Sequence, residues 1–233
     1  MINHLLSELK NASSPEKAKI LQKFFKTGKG EYGEGDIFLG VTVPETRKIA
    51  KKHINLSFDE ITKLLKSKIH EERLAALLLL VEKYNKSNDK AKDKIVNFYL
   101  SNTKYVNNWD LVDLSAHQLL GSFIEDKDKS ILTKLAKSPS LWERRIAIIS
   151  TYHFIKNKNH KPTFKIAEIL LEDKHDLIQK AVGWMLREVG KRNQNAEEEF
   201  LKYHYKKMPR TMLRYAIERF DKEKRDNYLK GKI

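Results

Sequence analysis

Apolar residues recur at three- and four-residue spacing along almost the whole chain, and the strict alternation of a half-buried strand is nearly absent. The pattern predicts a train of about a dozen helices joined by short polar links. Their approximate spans are 2–11, 15–27, 44–54, 58–67, 70–85, 89–102, 108–121, 127–136, 140–156, 162–171, 175–192, 195–206 and 209–220. Pro15, Pro44 and Pro209 stand where helices begin, a position that tolerates proline because its N–H would be unpaired anyway. Ser57 with Glu60, and Ser140 with Glu143, have the spacing of capping boxes.

Paired helices in this train would repeat about every 35 to 45 residues, the spacing of HEAT-like repeats. The expected fold is therefore all-α: a HEAT-like helical-repeat solenoid, or α-α superhelix, forming one domain over 1–233. An ordinary helical bundle is the alternative, since the repeats share little sequence. One segment departs from helical patterning. Five of the nine glycines lie between Gly28 and Gly40, too dense for a helix, so an exposed loop or short hairpin is expected near 28–40. It contains a G-x-G-x-x-G spacing at Gly28, Gly30 and Gly33. No strand leads into it, and Glu31, Glu34 and Asp36 would repel phosphates, so it is not read as a nucleotide site.

Composition narrows the function. With no cysteine, disulfides, thiolate nucleophiles and Cys-based metal sites are excluded. The longest apolar run, Leu74 to Val81, is eight residues, far short of a membrane span. The start of the chain lacks the basic-then-apolar pattern of a secretion signal. A cytoplasmic protein, nucleoid-associated when acting, is expected. Lysine and arginine number 46 against 31 acids, a net charge of +15, which attracts polyanions such as DNA, RNA or an anionic membrane.

Candidate chemistry collects on three helices. Over 175–192, Ile178, Ala181, Val182, Met185, Leu186 and Val189 form an apolar stripe, while Lys180, Trp184, Arg187 and Lys191 fall on the opposite face. A tryptophan among cations suits nucleic acid; burial against a neighbouring helix under lysine stems is the competing reading. Trp109 and Asp113, four residues apart, share a face at the edge of a stripe made by Val112, Ala116 and Leu119. Periodicity alone makes Asp113 a structural carboxylate. Asp110 lies in the first turn, where it favours a helix N-terminus. Arg145 falls on an apolar face and needs an acidic partner or a phosphate, for which Asp113 or Asp110 could serve; Arg144 points away. His117 and His153 read as polar residues at helix edges. No H-E-x-x-H spacing, metal-typed carboxylate cluster or G-x-S-x-G elbow is present.

The same residues carry a resemblance. The stretches KYVNNWDLVDLS (104–115), LWERRIA (141–147) and IQKAVGWMLRE (178–188), with FLGVTVPETR (38–47), resemble the signature regions of the AlkD-like DNA alkylation-repair glycosylases. The likeness runs from about residue 15 to 220. It implies stacked HEAT-like helix pairs with a basic concave surface, and a monofunctional glycosylase that excises purines alkylated at N3 or N7, such as 3-methyladenine and 7-methylguanine, from duplex DNA. It also implies Asp113, Trp109 and Trp184 as the catalytic set, and Arg145 and Arg187 as partners of DNA or of the carboxylate. Lys180, Lys191 and Arg144 join these on the DNA side. No metal or organic cofactor is required, and a monomer suffices. Two other functions fit the scaffold: a non-catalytic binder of branched or unusual DNA, and a HEAT-type protein-interaction adaptor.

Overall fold

A computed structural model describes residues 1–233 and is all-helical, with one isolated bridge between Ile37 and Ile69. The chain divides into two compact units, Met1–Ser115 and Ala116–Ile233. The first contains α1 (Ile2–Asn11), α2 (Pro15–Phe24), α3 (Val43–Lys52), α4 (Phe58–Leu65), α5 (His70–Asn85), α6 (Asp89–Ser101), a 3₁₀ turn at Thr103–Tyr105 and α7 (Trp109–Asp113). Its centre is α5. Every residue from Leu74 to Val81 is buried, because α3, α4 and α6 pack around this helix and it needs no polar face. The Ser57–Glu60 capping box opens α4 as expected.

In the second unit a wide π-type turn, His117–Gly121, leads to α8 (Ser130–Ala136), α9 (Leu141–Ser150), α10 (Tyr152–Lys156), α11 (Lys161–Ile169), α12 (Asp176–Gly190), α13 (Gln194–His204) and α14 (Arg210–Ala216). A 3₁₀ turn at Ile217–Arg219 then precedes α15 (Lys222–Lys230). Here α12 is central, packing on α9, α13 and α14. Its predicted stripe of Ile178, Ala181, Val182, Met185, Leu186 and Val189 is wholly buried. Consecutive helices such as α4 and α5, α8 and α9, and α12 and α13 pack on each other, as do alternate ones such as α3 and α5 and α12 and α14, which makes this an all-α helical-repeat fold.

The expected spans needed correction where hydroxyl groups compete for backbone bonds. The helix expected over 108–121 ends at Asp113, where the Ser115 hydroxyl bonds back to the Leu111 carbonyl at 2.6 Å. The helix expected over 140–156 breaks at Thr151. There the Ser150 and Thr151 hydroxyls bond back to the Ile146 and Ile148 carbonyls, both at 2.7 Å, and such back-bonding bends helices. At Ser140 only half the box forms. Its hydroxyl accepts from the Glu143 N–H, while the Glu143 carboxylate accepts from the Ser138 hydroxyl. α15 was not anticipated.

The glycine-rich segment is a series of turns rather than a hairpin. Gly30, Gly35 and Gly40 take positive φ. The Gly28 and Gly30 N–H groups donate to Glu31 and Glu34 of the same loop, each at 2.8 Å. The glycine spacing thus captures its own carboxylates, which leaves no cradle for a phosphate.

Candidate functional site

In the first unit the site is built on α7. Asn108 is fully buried and caps the helix: its Oδ1 accepts from the Trp109 N–H at 2.8 Å, and its Nδ2 donates to Asp36 Oδ2 at 3.3 Å. The Trp109 ring stacks on Phe25 (centroids 5.0 Å apart, 15° between planes) and meets Phe24 edge-on at 5.9 Å. Asp110, expected simply to favour the helix N-terminus, has a longer reach. Its Oδ1 accepts from the Leu111 N–H at 2.8 Å, and its Oδ2 lies 2.8 Å from His70 Nε2.

The other ring nitrogen of His70 lies 3.4 Å from Asp36 Oδ2, which is also ion-paired with Arg73 at 2.6 Å. Asp36, His70, Arg73 and Asp110 are all buried. Burial alone would lower the His70 pKa, but the Asp110 charge and the bonds to both carboxylates outweigh it, and the net direction is upward. Burial would likewise raise Asp36, yet the His70 bond and the Arg73 charge hold it below the usual carboxylate range. The four form an ion chain of alternating sign that fixes α7 from beneath.

Asp113 closes α7, one turn beyond Trp109 and half-buried. Its charge reaches Tyr99, a fully buried phenol that bonds the Ser115 hydroxyl at 3.3 Å. Burial first, and Asp113 in addition, push that phenol's pKa up.

In the second unit the outer face of α12 carries the predicted polar set. Lys180 pairs with Asp176 at 2.7 Å. Trp184 is half-buried and donates its indole N–H to Glu188 at 3.3 Å. Glu188 is gripped by Lys191 at 2.5 Å and Arg192 at 3.0 Å. Burial would raise its pKa, but those two bonds bring it below the ordinary value. Arg187 pairs with Glu218. The Tyr152 ring lies 6.4 Å from Trp184, with Arg192 and Lys156 over it at 5.7 and 5.3 Å and His117 edge-on at 5.3 Å. The His117 pKa is lowered to about 4, by burial first and by the Lys156 and His153 charges next. Sequence reasoning found Trp184 but missed Tyr152 and Lys156, four residues apart on α10, and Arg192, just past the end of α12, because only the packing of α10 on α12 brings them to Trp184.

Arg145 is buried and donates to the Leu177 carbonyl at 2.6 Å. Arg144 pairs with Asp173 at 2.7 Å and donates to the Ser138 and Pro139 carbonyls, tying the start of α9 to the loop before α12. Trp109 and Asp113 are thus brought onto one turn in the first unit. In the second, Trp184 and Lys191 are joined through Glu188, while Lys180, Arg187, Arg144 and Arg145 each have separate partners. No group of three or more His, Asp or Glu side chains is arranged to hold a metal ion.

A family model described as DNA alkylation repair enzyme matches residues 5–220. No curated protein matches the sequence. A solved structure described as a predicted DNA alkylation repair enzyme from Enterococcus faecalis has the same fold. It aligns with a TM-score of 0.68 over 90% of this chain and 97% of its own, at 18% identity.

Proposed function

Because the chain belongs to the DNA alkylation repair enzyme family, we propose that it is a monofunctional glycosylase that removes N3- and N7-alkylated purines from duplex DNA. The observation that carries this reading is the anchored turn of α7. Trp109 is locked by Asn108 and Phe25, Asp110 is tied to His70, and Asp113 follows one turn later, half-buried. An aromatic face and a carboxylate held on one short, braced helix suit a developing cation, because groups fixed before the reaction cost nothing to reorganise during it.

The chemistry needs little else. Alkylation at N3 or N7 makes the purine cationic, so it departs without protonation. As the C1′–N bond breaks, its electron pair goes to the purine, which leaves as a neutral base, and positive charge builds on the deoxyribose. The Asp113 carboxylate and the face of Trp109 stabilise that charge; Trp184 is the third catalytic residue that the family resemblance implies. A water adds its oxygen to C1′ and gives up a proton, leaving an abasic site. Arg145 and Arg187, with Lys180, Lys191 and Arg144, are the proposed basic side chains on the DNA side.

Release of free methylated bases from methylated duplex DNA tests the reading. The wild-type protein is expected to release them, and a folded Asp113→Asn variant to lose about a hundredfold or more in rate. No release by well-folded wild-type protein that still binds duplex DNA would sink the glycosylase reading.

A further inference from the structure

The glycine-rich loop is fastened to the start of α5. The Ile37 N–H donates to the Lys68 carbonyl at 3.0 Å, and the His70 N–H donates to the Ile37 carbonyl at 2.8 Å. The Glu71 carboxylate accepts from the Leu39, Gly40 and Val41 N–H groups at 2.9, 2.8 and 3.2 Å. Residue 40 has to be small and left-handed here: its φ is +83°, and a Cβ would stand 2.2 Å from the Ser14 carbonyl oxygen. These bonds hold Asp36 against His70, whose ring is buried between two carboxylates.

The groups that face this ring decide its protonation. Nε2 meets Asp110 of α7 at 2.8 Å, and Nδ1 meets Asp36 of the loop at 3.4 Å. An ionised carboxylate only accepts, and a neutral imidazole has a single N–H. A neutral ring that donates to Asp110 would turn its Nδ1 lone pair toward a carboxylate oxygen inside the core. A doubly protonated ring donates to both. The charges agree. Arg73 of α5 is paired with Asp36, and Glu71 is spent on the loop N–H groups. Asp36 and Asp110 are balanced by Arg73 and His70 only when His70 is cationic; otherwise a net negative charge is buried. The ring's other neighbours are aromatic: Phe38 stacks on it at 4.5 Å, and Phe25 tilts against it at 5.1 Å.

Both groups proposed to meet the sugar cation on α7 depend on this ring. Through Asp110 it holds the first turn, which Asn108 also ties to Asp36. Through Phe25, which stacks on Trp109, it backs the indole; these rings line an open cleft of about 510 Å³ under α2. Asp113 ends the same five-residue helix, so any rotation of α7 moves it together with Trp109.

We propose that His70, carrying both ring protons, is a positioning residue of the glycosylase: it bridges Asp36 and Asp110 and so sets where Trp109 and Asp113 stand. The inference rests on the glycosylase reading above and deepens it, because placement of the reacting carboxylate then depends on a proton held elsewhere in the core.

The experiment begins with a two-bond ¹H–¹⁵N correlation of the histidine rings of the full chain at about pH 7.5. The His70 signals are assigned by their loss in His70→Gln or, if that variant does not fold, by their shift in Asp110→Asn. At that pH an unperturbed ring, with a pKa of about 6.5, is largely neutral. Protons on both His70 nitrogens are expected, and Asp110→Asn should lower the pH at which one is lost. Single-turnover release of methylated bases is then compared. In folded His70→Gln and Asp110→Asn the rate should fall about tenfold or more, while duplex affinity stays unchanged, since both side chains are buried. A single ring proton on wild-type His70, an unshifted titration in Asp110→Asn, or a full release rate in the folded variants overturns the proposal and leaves the glycosylase reading standing. A loss of affinity that accounts for the loss of rate makes His70 a scaffold residue only and also overturns it. No release by folded wild-type protein overturns both.

Discussion

Glu197 shows how much one side chain can depend on its surroundings. It sits in the first turn of α13 but is 1% exposed, its Oε1 has no hydrogen-bond partner, and it lies so close to α12 that a Cβ at Gly190 would collide with its carboxyl. Burial, with the Glu198 charge adding to it, pushes its pKa up to about 9 against the opposing Arg187 charge. The folded protein therefore holds a proton that the unfolded chain releases above its ordinary carboxylate range. Stability from this group is fully present below about pH 4.5 and is lost as the pH rises toward 9, by on the order of 1 kcal/mol per pH unit. Glu197→Gln, which keeps the shape and removes the titration, should raise the urea midpoint at pH 8 and change it little at pH 4.5. An equal effect at both would mean that Glu197 is not held neutral. Position 197 falls on the same face as Phe200 and Leu201, a trace of this burial that spacing does carry. Asp36 and His70 left no such trace, since they lie 34 residues apart and meet only when the glycine-rich loop folds onto α5.

Elements were legible where an apolar stripe ran unbroken. α5 occupies its expected 70–85, and the stripe of α12 is buried as patterned. The breaks after Asp113 and at Thr151 were not legible, because serine and threonine hydroxyls reach backbone carbonyls without disturbing the hydrophobic period. Gly183 shows the limit of helix propensity. Alanine is the better helix former by about 1 kcal/mol, yet a Cβ there would stand 2.4 Å from the Met212 carbonyl oxygen and 2.6 Å from Tyr215 Cβ. α12 and α14 approach so closely because residue 183 has no side chain. Gly183→Ala is expected to destabilise the protein by about 1–3 kcal/mol, read as a lowered urea midpoint with an unchanged slope; a neutral or stabilising result would mean that the two helices can part without cost.

For the whole molecule the net charge of +15 is the dominant long-range property. Binding to undamaged duplex DNA should weaken steeply with salt, by about 10³–10⁵ between 50 and 200 mM if six to ten phosphates are contacted. A flat dependence in a filter-binding or anisotropy titration would remove the electrostatic basis of the DNA reading. Of this protein, the sequence by itself determined the helices, their buried stripes, the basic charge and the residues that mark its family, because each is a local or summed property of the chain. Tertiary structure alone decided the partners: His70 between two aspartates, Arg145 on the Leu177 carbonyl, Glu188 gripped by Lys191 and Arg192, and the aromatic cleft under α2. Apart from the Glu188 grip, these contacts join groups that are distant in sequence. Burial and Coulomb energy depend on distance in space, and periodicity along the chain does not encode it.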